Sequence, residues 1–131
     1  MNLKNAARII TLACVAQVLG YAYALPGHLG EPTWSAHAQF HHVLAWIWVV
    51  GLNIAIVAFA WGPLQKGDRG TFWILVILFI FAQGGHFIAS LVVPAGRPPE
   101  WWYDYALSTM GLIFAVGLGT GWRALSRSGS E

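Results

Sequence analysis

The chain has 131 residues, of which 57% are hydrophobic and only 9% are charged. A soluble domain carries about 25% charged residues, so this composition excludes an ordinary water-exposed globular domain and predicts a protein that lies in lipid. The formal net charge is only +2 and no basic run contains interleaved aromatic residues, so we expect no nucleic-acid partner.

Four apolar segments are each long enough to cross a bilayer, which needs about 20 apolar residues per helix. They comprise residues 7–25, 38–61, 71–93 and 105–122. They predict an all-α fold, an integral membrane four-helix bundle that forms a single domain over residues 1–131. The Gly- and Pro-rich stretches between the segments predict loops at residues 26–32, 62–70 and 94–99.

The first segment has features of a secretory signal. Lys4 and Arg8 precede an apolar run that ends in Ala22-Tyr23-Ala24, an A-x-A pattern. Because the run is long for a signal, we interpret it as a retained first helix.

The basic residues predict the orientation of the bundle. With four spans, both termini and the second loop share one side of the membrane. That side holds six of the seven basic residues: Lys4, Arg8, Lys66, Arg69, Arg123 and Arg127. Only Arg97 falls on the other side. By the positive-inside rule, both termini are expected in the cytoplasm of a bacterial-type inner membrane, with the first and third loops outside.

All five histidines fall in the outer half of this topology. His28 lies in the predicted first loop, where we expect it to be solvated, and His37, His41 and His42 begin the second segment. His86 is seven residues before the end of the third segment, about 10 Å below it at 1.5 Å per residue. Ionisable side chains within membrane segments usually carry function, so the histidines predict a site in the outer half.

Helical spacing groups the candidate residues by face. His37 and His41 are four residues apart and share a face, whereas His42 points about 100° away and is expected to be an interfacial bystander. Gln83 and His86 share a face of the third segment. Four polar residues in or beside the spans could line a pocket, and they form the candidate catalytic set: His86, Gln83, Asp104 and Asn53.

Three kinds of chemistry fit these residues. His37 and His41 with His86 as a third ligand would form a three-imidazole metal site for Zn, Cu or Fe. A single histidine could instead be the axial ligand of a haem. A histidine paired with a carboxylate could also shuttle protons without a metal. The residues leave these alternatives open.

Two motifs resemble the styrene oxide isomerase family of small four-helix membrane proteins. Trp34-Ser35-Ala36-His37 resembles the family motif at the start of the second helix, and Phe81-Ala82-Gln83-Gly84-Gly85-His86-Phe87 resembles its third-helix stretch. The resemblance implies that His37 binds ferric haem b and that Gln83 is the pocket amide. It also implies a trimer with haem between subunits, which opens epoxides by Lewis acidity with a hydride shift. The chain departs from the family where His86 replaces a Tyr, and where Val43 and Leu44 occupy the region of an Asn.

The leading hypothesis is therefore an isomerase of a small hydrophobic, epoxide-like substrate that enters from the bilayer, with a histidine-bound haem b or a metal (Fe, Cu or Zn). A metal-free isomerase or hydrolase and a non-enzymatic accessory subunit of a membrane complex are the alternatives. We expect lipid and further copies of the chain as partners. The small residues Gly111, Ala115 and Gly119 recur every fourth position and predict close helix packing.

Overall fold

The fold is described by a computed structural model that covers residues 2–93 and 102–128. Four α-helices account for nearly all of this part of the chain: α1 (Leu3–Leu29), α2 (Ala36–Trp61), α3 (Arg69–Val92) and α4 (Trp102–Ser128). A short 3₁₀ turn, Pro63–Lys66, follows α2. All four helices are long and apolar enough to cross a membrane, which confirms the prediction of an all-α, four-helix protein.

Each of the first three helices begins a few residues before its predicted apolar segment. The reason is a polar cap: the side chains of Asn2, Ser35 and Asp68 accept hydrogen bonds from the first free backbone N–H groups of α1, α2 and α3. Such caps stabilise a helix end but carry no apolar signal, so a search for apolar runs misses them. The predicted third loop, residues 94–99, lies outside the described residues.

The prediction that a loop begins at Pro26 was wrong. Helix α1 continues through Pro26 to Leu29, and the N–H of Gly30 donates to the Pro26 carbonyl at 3.0 Å. A proline removes only one donor from the helix, and membrane helices tolerate that loss more readily than soluble ones. His28 consequently lies on the last turn of α1 rather than in a loop.

Helix α1 packs mainly against α4 and α2. Its closest approach to α4 is at Gly117, where a Cβ would lie 2.7 Å from Cγ1 of Ile10. Of the predicted stripe, Gly111 faces Gln83 on α3, whereas Ala115 is exposed and a Cβ on Gly119 would meet no heavy atom within 4 Å. Gly117, which faces α1, lies outside that stripe.

Buried side chains are confined to one end of the bundle. On α1 they lie no later than Gln17, on α2 no earlier than Asn53, on α3 no later than Gln83 and on α4 no earlier than Phe114. This dry core contains the ends of the helices that the charge rule assigns to the cytoplasm. Towards the opposite end the helices leave cavities between them.

Candidate functional site

Three buried amide side chains mark the boundary between the dry core and the open half. Gln17, Asn53 and Gln83 come from α1, α2 and α3. Asn53 Nδ2 donates to Gln17 Oε1 at 3.0 Å, and Gln17 Nε2 donates to the Ala82 carbonyl at 2.7 Å. These bonds join the three helices at one level, which we call the amide layer (Gln17, Asn53 and Gln83).

Gln83 differs from the other two amides because it has no hydrogen-bond partner at either Nε2 or Oε1. Its side chain is only 5% exposed and lies against Gly111, where a Cβ would be 4.0 Å from Gln83 Oε1. The Oδ1 atom of Asn53 is also without a partner. Buried polar groups are nearly always hydrogen-bonded, so these atoms require an explanation such as a bound molecule.

A cavity of about 290 Å³ lies on the open side of the amide layer. We call it the histidine cavity because three of the five histidines line it. Its wall combines small and apolar side chains with these imidazoles. The lining residues are Gln17, Gly20, Tyr21, Ala24, His28, His42, His86, Trp102, Ala106, Leu107 and Met110.

The structure pairs two of the predicted catalytic residues, of which His86 lines this cavity. His86 Nε2 on α3 lies 3.3 Å from Asp104 Oδ1 on α4, and both side chains are largely buried. A carboxylate in this position orients the imidazole ring. The pair joins α3 to the next helix along the chain, so the histidine face of α3 and the acidic start of α4 meet here.

A second group of rings, which the sequence did not predict, contributes His28 and His42 to the lining of the same cavity. His28 stacks on Trp34 with ring centroids 5.1 Å apart, and the ring of His42 lies 4.5 Å from that of His28. His42 Nε2 is buried without a hydrogen-bond partner. His28 was assigned to a loop and His42 to the interface. Recognising that α1 continues past Pro26 would have placed His28 beside the start of α2.

His37 and His41 lie together on a different, exposed face of α2. Their Nε2 atoms are 3.1 Å apart and their rings meet edge to face. Within the described ranges, no group of three or more His, Cys, Asp or Glu residues is placed to hold a metal. The three-imidazole set that would add His86 to this pair therefore stays a prediction.

A second cavity, of about 260 Å³, lies between α2 and α3. We call it the α2–α3 crevice. It adjoins the amide layer and contains residues of α1 in its floor. The lining residues are Gln17, Tyr21, Ala45, Trp48, Val49, Leu52, Asn53, Phe81, Ala82, Gly85 and His86.

Comparison with known proteins finds no relative of this chain. No protein-family model matches the chain, and neither the curated proteins nor the solved structures give a match. The resemblance to styrene oxide isomerases stays a prediction that rests on the two motifs and the four-helix topology.

Proposed function

We propose that the protein is a membrane-embedded isomerase of a small, apolar, epoxide-like substrate, which binds in the histidine cavity. The observation that carries the proposal is that His86 lines a cavity with an otherwise largely apolar lining and is paired with Asp104 at 3.3 Å. A pocket with apolar walls and a few convergent polar groups is the usual form of a small-molecule site. An acid–base pair in such a pocket is suited to moving a proton where water is scarce.

The proposed reaction uses His86 as a proton donor and acceptor. With Nε2 held by Asp104, Nδ1 of the protonated ring gives a proton to the epoxide oxygen as one carbon–oxygen bond breaks. A hydride then shifts from the carbon that keeps the oxygen to the neighbouring cationic carbon. The proton on the resulting carbonyl oxygen returns to His86, so substrate and product are isomers. Asp104 keeps the ring of His86 in one orientation throughout the cycle.

Two amides have supporting roles in this proposal. Gln83 lies three residues, about one helical turn, before His86 and has free donor and acceptor atoms. It is buried and does not line the cavity, so it would hold the substrate oxygen only once its side chain turns towards the cavity. Asn53 would position Gln17, to which it donates a hydrogen bond. A donor aimed at an oxygen that gains charge during reaction lowers the barrier.

Turnover of styrene oxide by purified protein in lipid nanodiscs tests the proposal. We expect His86→Ala and Asp104→Asn to lower kcat by about 10²–10⁴-fold, the usual contribution of a general acid–base. Ser90→Ala is the control, because Ser90 Oγ donates only to the backbone carbonyl of His86. Activity that persists in His86→Ala, or is absent from the wild type, contradicts the proposal. Activity that survives a chelator supports the metal-free form.

A second candidate is an isomerase in which His37 binds haem b or a Zn, Cu or Fe ion. It is favoured by the exposed pair of His37 and His41, whose Nε2 atoms are close enough to face one metal together. The pair is exposed, so a second copy of the chain would have to cover it, which agrees with the expected trimer. When bound, haem iron or a metal ion supplies a Lewis acid for the epoxide oxygen.

An absorption spectrum and a metal analysis of purified protein separate the two candidates. Haem at His37 predicts a Soret band that is lost in His37→Ala and kept in the control His28→Ala. A colourless protein without bound metal that still isomerises styrene oxide rules out the second candidate. A trimer by mass measurement in nanodiscs supports the predicted assembly, whereas a monomer contradicts it.

We further propose that both termini lie in the cytoplasm of a bacterial-type inner membrane, with the histidine cavity near the outer face. The four apolar helices support a multi-pass membrane protein, and the distribution of basic residues supports this orientation. In whole cells, a membrane-impermeant maleimide should label Thr33→Cys in a Cys14→Ala background. It should not label Lys66→Cys, and the reverse result overturns the orientation.

A further inference from the structure

The histidine cavity and the α2–α3 crevice share part of one wall. Gln17, Tyr21 and His86 line both spaces. His86, the proposed proton donor, therefore borders one space that lies towards α4 and another that lies between α2 and α3.

The crevice also reaches the lipid-facing surface of the bundle. Trp48 on α2 and Phe81 on α3 line it and are each 69% exposed. Between them, a Cβ on Gly85 would meet no heavy atom within 4 Å, so α3 has open space at this position. Because these residues lie on helices that are apolar enough to cross a membrane, the open side faces hydrocarbon rather than water.

We propose that the α2–α3 crevice is a lateral entrance through which an uncharged apolar molecule passes from the membrane interior into the histidine cavity. On this path the molecule passes Tyr21 and His86, whose side chains lie between the crevice and the histidine cavity. That this molecule is the epoxide substrate rests on the proposed function. An apolar substrate concentrates in the bilayer, so an entrance from lipid spares it a passage through water.

A thiol reporter in the histidine cavity tests the path without any assay of turnover. Ala106 lines that cavity on α4 and does not line the crevice. In a Cys14→Ala background, Ala106→Cys is reacted in liposomes with methyl methanethiosulfonate, a small uncharged reagent. The thiolate attacks the reagent sulfur, a mixed disulfide forms and methanesulfinate leaves, so the labelling rate reports arrival in the cavity.

Two neighbouring glycines provide a matched pair of variants. Gly85→Phe fills the crevice and should slow labelling of Ala106→Cys by about tenfold, because access then limits the rate. Gly84→Phe is the control: its Cβ also has open space, but Gly84 does not line the crevice. Equal labelling rates in the two variants overturn the lateral entrance.

A second variant changes the rate in the opposite direction and guards against misfolding of Gly85→Phe. Trp48→Ala widens the crevice and should accelerate labelling, whereas Ile47→Ala, at an exposed position beside it, should not. A charged methanethiosulfonate that labels Ala106→Cys as fast as the uncharged reagent contradicts the proposal, because it shows entry from water.

Turnover of styrene oxide by the same variants separates this inference from the proposed function. Slower labelling in Gly85→Phe with no turnover by the wild type supports the entrance for other apolar molecules and contradicts the isomerase. Turnover by the wild type with labelling unaffected by Gly85→Phe has the opposite meaning: the isomerase stands and the entrance is overturned.

Discussion

Gln17 and Asn53 hydrogen-bond each other in the interior of the bundle, with 3.0 Å between Gln17 Oε1 and Asn53 Nδ2. The bond connects α1 to α2 at the level where the dry core ends and the cavities begin. Gln17 also reaches α3 through the Ala82 carbonyl. Gln17 lines the histidine cavity, so these bonds hold together three of the helices around it.

The first prediction concerns this bond. Asn53→Leu should lower the free energy of unfolding by about 1–3 kcal/mol, because it leaves Gln17 Oε1 buried without a donor. The double variant Gln17→Leu/Asn53→Leu should be less destabilised than the sum of the single variants, with a coupling of about 0.6 kcal/mol or more. Unfolding in mixed micelles measures both, and strict additivity would show that the bond contributes nothing.

The second prediction separates stability from function at Gln83. Both polar atoms of this amide lack partners, so Gln83→Leu should raise the free energy of unfolding by about 1–3 kcal/mol. If Gln83 holds the substrate oxygen, the same change should lower kcat for styrene oxide by about tenfold or more. Gln17→Leu is the control, because its amide is partnered and its loss should destabilise. A less stable Gln83→Leu protein would refute the assignment of unpaired atoms.

The number and order of the helices could be predicted because hydropathy depends only on local composition. The pairing of His86 with Asp104 could be anticipated only in part. Helical spacing assigned each residue to a helix face, and the distribution of basic residues predicted that both residues lie towards the same side of the membrane. Neither pattern specifies which helices are neighbours. That information lies in contacts such as Ile10 against Gly117, which no residue pattern within a single helix reveals.

The aromatic and imidazole group at the outer end shows a different limit. His28 was assigned to solvent because Pro26 was interpreted as the end of the first helix, and His42 was assigned to the interface because it points about 100° away from His41. Helix α1 nevertheless continues to Leu29, and membrane helices tolerate a proline more readily than water-soluble ones. Propensities derived from water-soluble chains do not contain that effect, so His28 was not expected beside His42.

The third prediction uses two glycines on α4 as a matched pair. Gly117→Ala should lower the free energy of unfolding by about 1–3 kcal/mol, since its Cβ would lie 2.7 Å from Ile10 Cγ1 and 3.1 Å from the Ile10 backbone nitrogen. Gly119→Ala meets open space and should be neutral or stabilising by up to about 1 kcal/mol through helix propensity. Equal effects in unfolding measurements would contradict the close approach of α1 and α4 at Gly117.

The fourth prediction concerns pH and the start of α3. Asp68 lies between two spans, and its carboxylate accepts hydrogen bonds from the Thr71 hydroxyl and the Gly70 backbone N–H, which lower its pKa below the ordinary value. A lowered pKa means that this contribution to stability is full at neutral pH and is lost as pH falls through the folded-state pKa, below about 4. Thermal unfolding should therefore show Asp68→Ala less stable than the wild type at pH 7, with the difference shrinking towards pH 3. Thr71→Val removes the main hydrogen-bond donor to Asp68 and should weaken this pH dependence. A stability difference between wild type and Asp68→Ala that is constant with pH would show that the charge of Asp68 does not stabilise the start of α3.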